Sequence, residues 1–371
     1  MNNKVFSNIS KIIERDSKST TYKFALLRGT IDIVQENSPF ISIVNNRVFI
    51  PTGLLIEKWL LYYYPILQSS TLIPQINNSN KLAFELQFIE LIKNYESRGG
   101  FSAFYNDLKN KGIPNDLNDL FFELAKKIRN TITKMPMKYI GRSVNQTYYS
   151  IYQYENKQRL KKSDAFDIEK LINGFGVFSI PIDYHEVFKL LGSFINGQDS
   201  ILFKWAEFSV NASNKNLSIE KVISEVLKNP ITERDILESK KLYKSVLEKK
   251  GTVYCVWTGK KISKYDIDHV IPFTVWKNND LWNLLPSSST INRNNKRDKI
   301  PSPILIEKQK DIILDYWDTI FKEQSSRFKK EIQIALLGNH PFSIWKEKGI
   351  EQLQRSCNYL IENRGFEEWK I

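Results

Sequence analysis

Apolar residues recur at helical spacing along the first third of the chain. Between Tyr22 and Gln35 they fall at Phe24, Leu27, Ile31 and Val34, three and four apart, which predicts a helix with one buried face. The period then changes. In FISIVNNRVFIP, β-branched and aromatic residues flank Asn45-Asn46, and asparagine tolerates the positive φ of a tight turn, so a short hairpin is expected. Helical spacing resumes from Thr52 to Tyr64, from Lys81 to Tyr95 and from Leu117 to Ile132, with Pro, Gly and Asn clusters as breakers. The longest apolar stretch, LLIEKWLLYYYPIL, carries Glu57 and Lys58 and ends at Pro65. It reads as a buried amphipathic helix, because a membrane span needs ~18 apolar residues.

Further on, VNQTYYSIYQY and VFSIPI have strand patterns. The segment NKQRLKKSD between them offers Lys157, Arg159, Lys161 and Lys162 to phosphates, although a solvated surface loop is the plainer reading. Helical spacing returns from Tyr184 to Asn211 and from Ser218 to Lys228. A basic, helix-prone stretch, TERDILESKKLYKSVLEKK, comes next and stops at Gly251, where the character of the sequence changes. After Pro303 the pattern is helical again, and the chain ends in EEWKI.

Composition narrows the class. A chain of 371 residues, 42% hydrophobic and 26% charged, can bury a core and is long for a single one, so two domains with room for a small third are expected. Its formal charge of +13 favours a polyanionic partner, weakly by itself. The first residues lack the apolar core of a secretory signal. Cys255 and Cys357 are too few for a disulfide framework and suit a reducing cytoplasm, where we expect the protein to work.

The chemistry concentrates between Lys249 and Lys299, where the local net charge is +6. YDIDHVIP is a short β-pattern that sets an acid beside an imidazole and closes on Pro272. Successive strand side chains point to opposite faces, so the chain must bend for Asp268 and His269 to serve one site. WNLLP is a candidate returning strand, and the serines of SSSTINRNNKR offer N-caps for a short helix on which Asn292 and Lys296 share a face. Asp268 and Asn292 have the oxygen donors that a hard cation takes, and a neutral imidazole with a pKa near ~6.5 can take a proton from water. His185 and His340 stand alone and read as structural, and Trp257, Trp276 and Trp282 as core.

From Thr252 to Ser302 the sequence resembles the HNH, or ββα-metal, nucleases, with YDIDHVIP, the Asn of WNLLP, and the Asn and Lys of INRNNKRDKIP in order. It looks most like the acid-His variant of CRISPR effector nucleases and of restriction and defence proteins. The resemblance implies His269 as general base, Asp268 and Asn292 as metal ligands, Asn283 as the residue holding the loop between the strands, and Lys296 as the cation on phosphate charge. Arg293, Arg297 and Lys299 would join Lys296 in binding nucleic acid. Many relatives write the helix as Asn, two residues, then Lys; here Arg293 holds the position three before Lys296, so Asn295 stays open as the alternative ligand. Many also carry two cysteine pairs for zinc, which this sequence lacks, so no structural zinc is expected and Cys255 reads as a small buried residue.

The implied fold class is α+β: a mainly helical region over 1–250 with short hairpins, in two parts if it divides near 140–180, a nuclease domain over 251–303, and a helical extension over 304–371. The implied activity is Mg²⁺-dependent, or Mn²⁺-dependent, hydrolysis of DNA, in restriction or anti-phage defence, with DNA, a partner protein or a second copy of the chain as partners and no membrane. An RNA-cleaving toxin and a catalytically silent nucleic-acid binder are the alternatives.

Overall fold

The structure is a computed structural model that describes residues 3–77, 81–144, 150–155, 166–196 and 201–371. The architecture is mainly helical with few short strands, an α+β chain, and it divides into two compact units, Met1–Ile231 and Thr232–Ile371.

The first unit is organised around helix Thr52–Gln68, in which Leu55, Ile56, Trp59, Leu60 and Tyr63 are all fully buried. This helix is apolar on nearly every side, the pattern of one enclosed by its neighbours. Gly53 lies where a Cβ would sit 1.9 Å from the Leu171 carbonyl oxygen, so only glycine lets helix Ile168–Gly174 approach so closely. The helix runs through Pro65 rather than stopping there. A proline at this point forfeits one backbone bond, and burial of Tyr64 and Ile66 on either side holds the last turn in place.

Helix Tyr22–Gln35 has the predicted bounds. The expected hairpin is formed by Ser42–Val44 and Arg47–Pro51, with Asn45 and Asn46 at φ 47° and 62°. It extends into a four-stranded antiparallel sheet with Val177–Pro181 and Gln153–Glu155. The helical spacing from Tyr184 to Asn211 is carried by two helices, Ile182–Asn196 and Ile201–Ala212. Lys157, Arg159, Lys161 and Lys162 lie outside the described residues.

The second unit opens with Thr232–Ile236, which has no regular structure, and then helix Leu237–Lys250. The expected change at Gly251 is the left-handed cap of that helix. The helix belongs to the core of this unit, since Tyr243 is fully buried there together with Trp257, Ile271, Trp282, Leu285 and Trp317. Helices Lys310–Glu323, Ser325–Ile332 and Trp345–Glu362 complete that core. The terminal strand Glu368–Trp369 lies parallel to Ile300–Pro301. No helix among the described residues is long and apolar enough to cross a membrane.

Candidate active site

The site is built on a hairpin of two four-residue strands. Asp266–His269 pairs antiparallel with Leu284–Ser287, setting Asp268 opposite Leu285 and His269 opposite Leu284. Pairing stops just beyond His269. The Val270 N–H donates to the Asn283 carbonyl at 2.8 Å, and the Asn283 side chain then clamps Ile271 by accepting from its N–H at 2.8 Å and donating to its carbonyl at 3.0 Å. Pro272 leads into one helical turn, Phe273–Trp276, whose Phe273 ring lies 5.5 Å from the imidazole. This is where the chain bends.

Asp268 is buried and its carboxylate is held on both oxygens. Trp257 Nε1 donates to Oδ2 at 2.6 Å and Lys296 Nζ to Oδ1 at 3.2 Å, while Lys296 also donates to the His269 carbonyl at 2.7 Å. Burial pushes the Asp268 carboxyl up, and Lys296, the Trp257 N–H and Arg234 pull it back. Lys296 is itself 0% exposed. It therefore stands behind the acid-imidazole pair, in the core, and not on the open side where it would meet phosphate.

His269 is also buried, and its Nε2 has no hydrogen-bond partner. A buried polar atom without a partner is costly and calls for an explanation, a catalytic role being one. Burial and then the nearby Arg234 charge push the imidazole down to about 4, and the polar Asn279 amide opposes them. The ring is neutral at pH 7, the state in which Nε2 can accept a proton.

The predicted short helix is a wide turn, Ile291–Lys296, whose bonding steps over five residues, as in Arg297 N–H to Asn292 carbonyl at 3.0 Å. Such a turn takes up one residue more than an α-helical turn, which answers to the extra residue between Asn292 and Lys296. Ser288 Oγ caps its start, accepting from the Ile291 N–H at 3.3 Å. Asn292 reaches the same cleft as Asp268 and His269, whereas Asn295 is exposed and outside it. The cleft encloses about 560 Å³ and is rimmed by Arg234, Lys240, Arg293 and Arg297. Arg293 makes a two-pronged ion pair with Asp266 at 2.7 and 2.9 Å, and that guanidinium is the chief cause holding the Asp266 carboxyl below its usual range. Lys299 lies away from the cleft, paired with Glu367.

Two family profiles match the sequence. Residues 2–226 match a domain of unknown function, DUF8808, and residues 255–302 match HNH endonuclease. The chain belongs to the DUF8808 family and carries an HNH endonuclease domain. Over 108 residues it is also 32% identical to the CRISPR-associated endonuclease Cas9 of Streptococcus mutans, a stretch covering 28% of this chain and 7% of that protein. The chain thus spans a small fraction of that relative's length. No solved structure matches.

In this HNH domain, the donors available to a hard cation are an Asp268 carboxylate oxygen and the Asn292 amide oxygen, which open on one cleft. Both Asp268 oxygens already accept one bond, and each keeps a further lone pair. Among the described residues no three His, Cys, Asp or Glu side chains converge on one point, so water and phosphate oxygens would have to complete any such site. Cys255 is buried and accepts from the Ser288 N–H at 3.4 Å. Sequence reasoning missed Arg234, Lys240, Asn279 and Phe273 around the HNH pair. They lie outside the motif, and only the basic character of TERDILESKK hinted at the first two.

Proposed function

We propose that the HNH domain is a metal-dependent endonuclease that hydrolyses phosphodiester bonds of DNA, and that the protein acts in restriction or anti-phage defence. The observation that carries this reading is the unpartnered Nε2 of His269, buried in a cleft that also holds Asp268 and Asn292 and is rimmed with cations. DNA as substrate rests on the resemblance to the acid-His variant. A defence role is supported by the similarity to a CRISPR-associated endonuclease.

In this mechanism His269 accepts the proton of the attacking water through Nε2. Asp268 and Asn292 would hold Mg²⁺ or Mn²⁺, which when bound supplies Lewis-acid polarisation of the phosphate and stabilises the leaving oxygen. Lys296 fixes the Asp268 carboxylate and the His269 backbone together, and Asn283 sets where the chain leaves the strand. Arg297 and Arg293 add positive charge at the rim, Arg293 after release from Asp266. One centre of this kind cuts one strand, so a double-strand break needs two copies or two successive nicks. The first unit would supply recognition of DNA, of a partner protein or of a trigger.

The test is to offer the purified full chain supercoiled plasmid and a structured RNA, each with Mg²⁺ or Mn²⁺. Plasmid nicked or linearised in preference to RNA is the expected result. Preferential loss of the RNA would turn the reading into an RNA-cleaving toxin, and binding of plasmid without cleavage under all conditions would favour a silent HNH fold.

A further inference from the structure

The cations around the cleft are not equally available. Lys296 is buried on Asp268, Arg293 is paired with Asp266, and Arg297 Nε is bonded to the Arg293 carbonyl at 3.3 Å. Arg234 differs. It is exposed, its guanidinium makes only a long 3.5 Å bond to the Ile267 carbonyl, and it is in no ion pair among the described residues. A guanidinium near a cleft, without a carboxylate of its own, has its planar fork open for two oxygens of one phosphate.

The backbone around Arg234 is also held, although the residue lies in a stretch without regular structure. One side chain, Asn279, grips the backbone on both sides of it. Its Nδ2 donates to the Glu233 carbonyl at 2.7 Å, and its Oδ1 accepts from the Asp235 N–H at 3.0 Å. The same amide lies beside the His269 imidazole and favours its protonated form, and Arg234 lines the cleft together with His269, Asp268 and Asn292. The field of Arg234 is felt at both His269 and Asp268.

We infer that Arg234 is a catalytic residue of the HNH centre, its guanidinium binding the non-bridging oxygens of the phosphodiester to be cut and holding the phosphorus in line with a water at His269 Nε2. Asn279 is the positioning residue that holds the segment presenting that guanidinium. The inference rests on the nuclease reading, and it enlarges the functional domain: the catalytic set begins in Thr232–Ile236, some twenty residues before the stretch matched as HNH endonuclease.

The experiment uses the full chain in two parallel assays. Binding of a duplex oligonucleotide is followed by fluorescence anisotropy across a salt series in the His269→Ala background, with Arg234→Ala, Arg234→Lys and the exposed Lys250→Ala added in turn. Cleavage of supercoiled plasmid is measured for the same three substitutions in the wild-type background. Arg234→Ala should lower the slope of log affinity against log salt by ~1 and cut turnover roughly 10²–10³-fold. Arg234→Lys should keep the slope while recovering only part of the turnover, and Lys250→Ala should leave turnover unchanged. A slope and a turnover both untouched by Arg234→Ala, in variants with unaltered melting, overturn the assignment. If the wild type cuts nothing, the nuclease reading falls on its own, and the salt slope still decides whether Arg234 holds a phosphate.

Discussion

The two units bury polar side chains to different ends. In the first, the enclosed groups close on one another: Asp16 takes Lys23 at 2.8 Å and the Gly141 N–H at 2.7 Å, Gln75 Oε1 accepts from Thr21 and from Trp205, and the Tyr62 hydroxyl donates to Asp32. Its unpartnered buried atoms, Trp59 Nε1 among them, belong to groups that neither give nor take a proton near neutral pH. In the second, a satisfied cluster of Asp268, Lys296 and Trp257 is built directly against one atom left open, Nε2 of a histidine. The contrast separates polar groups that lock a core from polar groups that a core holds ready, and the open one is where we propose the chemistry.

That contrast can be broken most severely at Lys296. Lys296→Met should destabilise the second unit by about 3–5 kcal/mol, because it leaves Asp268 buried and uncompensated. Adding Asp268→Leu should recover much of the loss in urea unfolding without restoring any cleavage. Recovery of cleavage by the double variant would deny Asp268 its part in the chemistry.

A pH series sharpens the same point at His269. The free imidazole takes its proton near ~6.5, whereas the folded one is held at about 4. Above the first value both states are neutral and the full stability is present. As pH falls between the two values the unfolded chain binds a proton that the folded chain refuses, so stability should drop by up to ~3 kcal/mol. Chemical denaturation at a series of pH values, wild type against His269→Ala, isolates that contribution, which the variant should lack.

In the first unit, Tyr62→Phe removes a hydroxyl that serves structure alone. It should cost about 1–3 kcal/mol in stability and leave the cleavage rate per folded molecule unchanged. A smaller effect is expected at the rim. A double-mutant cycle on the Asp266–Arg293 pair, whose guanidinium is exposed, should return only a small coupling. A much larger coupling would mean that the pair is part of the enclosed cluster.

Much of this was legible in the sequence because it depends on period or on residue type. Helix Tyr22–Gln35 and the Asn45-Asn46 turn derive from spacing and from the φ tolerance of asparagine. The order Asp268, His269, Asn283, Asn292 marked the hairpin and the turn after it, because few other folds need those residues in that order. The direction of Lys296 was not legible. Helical spacing says that it shares a face with Asn292, but not whether a flexible four-carbon side chain reaches inward, and a turn that steps over five residues alters the face itself. Arg234 and Asn279 were missed because their relation is made only by folding: Asn279 lies 45 positions after Arg234 and bonds the residues on either side of it, Glu233 and Asp235, at 2.7 and 3.0 Å. The helix-prone reading of Thr232–Ile236 failed because those bonds to Asn279 hold the backbone outside the helix that begins at Leu237.

The central claim is that His269 is the base of a metal-dependent nuclease. The most direct measurement tracks supercoiled plasmid with wild-type protein and His269→Ala side by side, in Mg²⁺ or Mn²⁺ and with EDTA as control, both proteins first shown to melt as folded chains at neutral pH. The account predicts nicking or linearisation by the wild type that EDTA abolishes and that His269→Ala slows by roughly 10²–10⁴-fold. Cleavage by His269→Ala at the wild-type rate, or cleavage by the wild type that persists in EDTA, would contradict it.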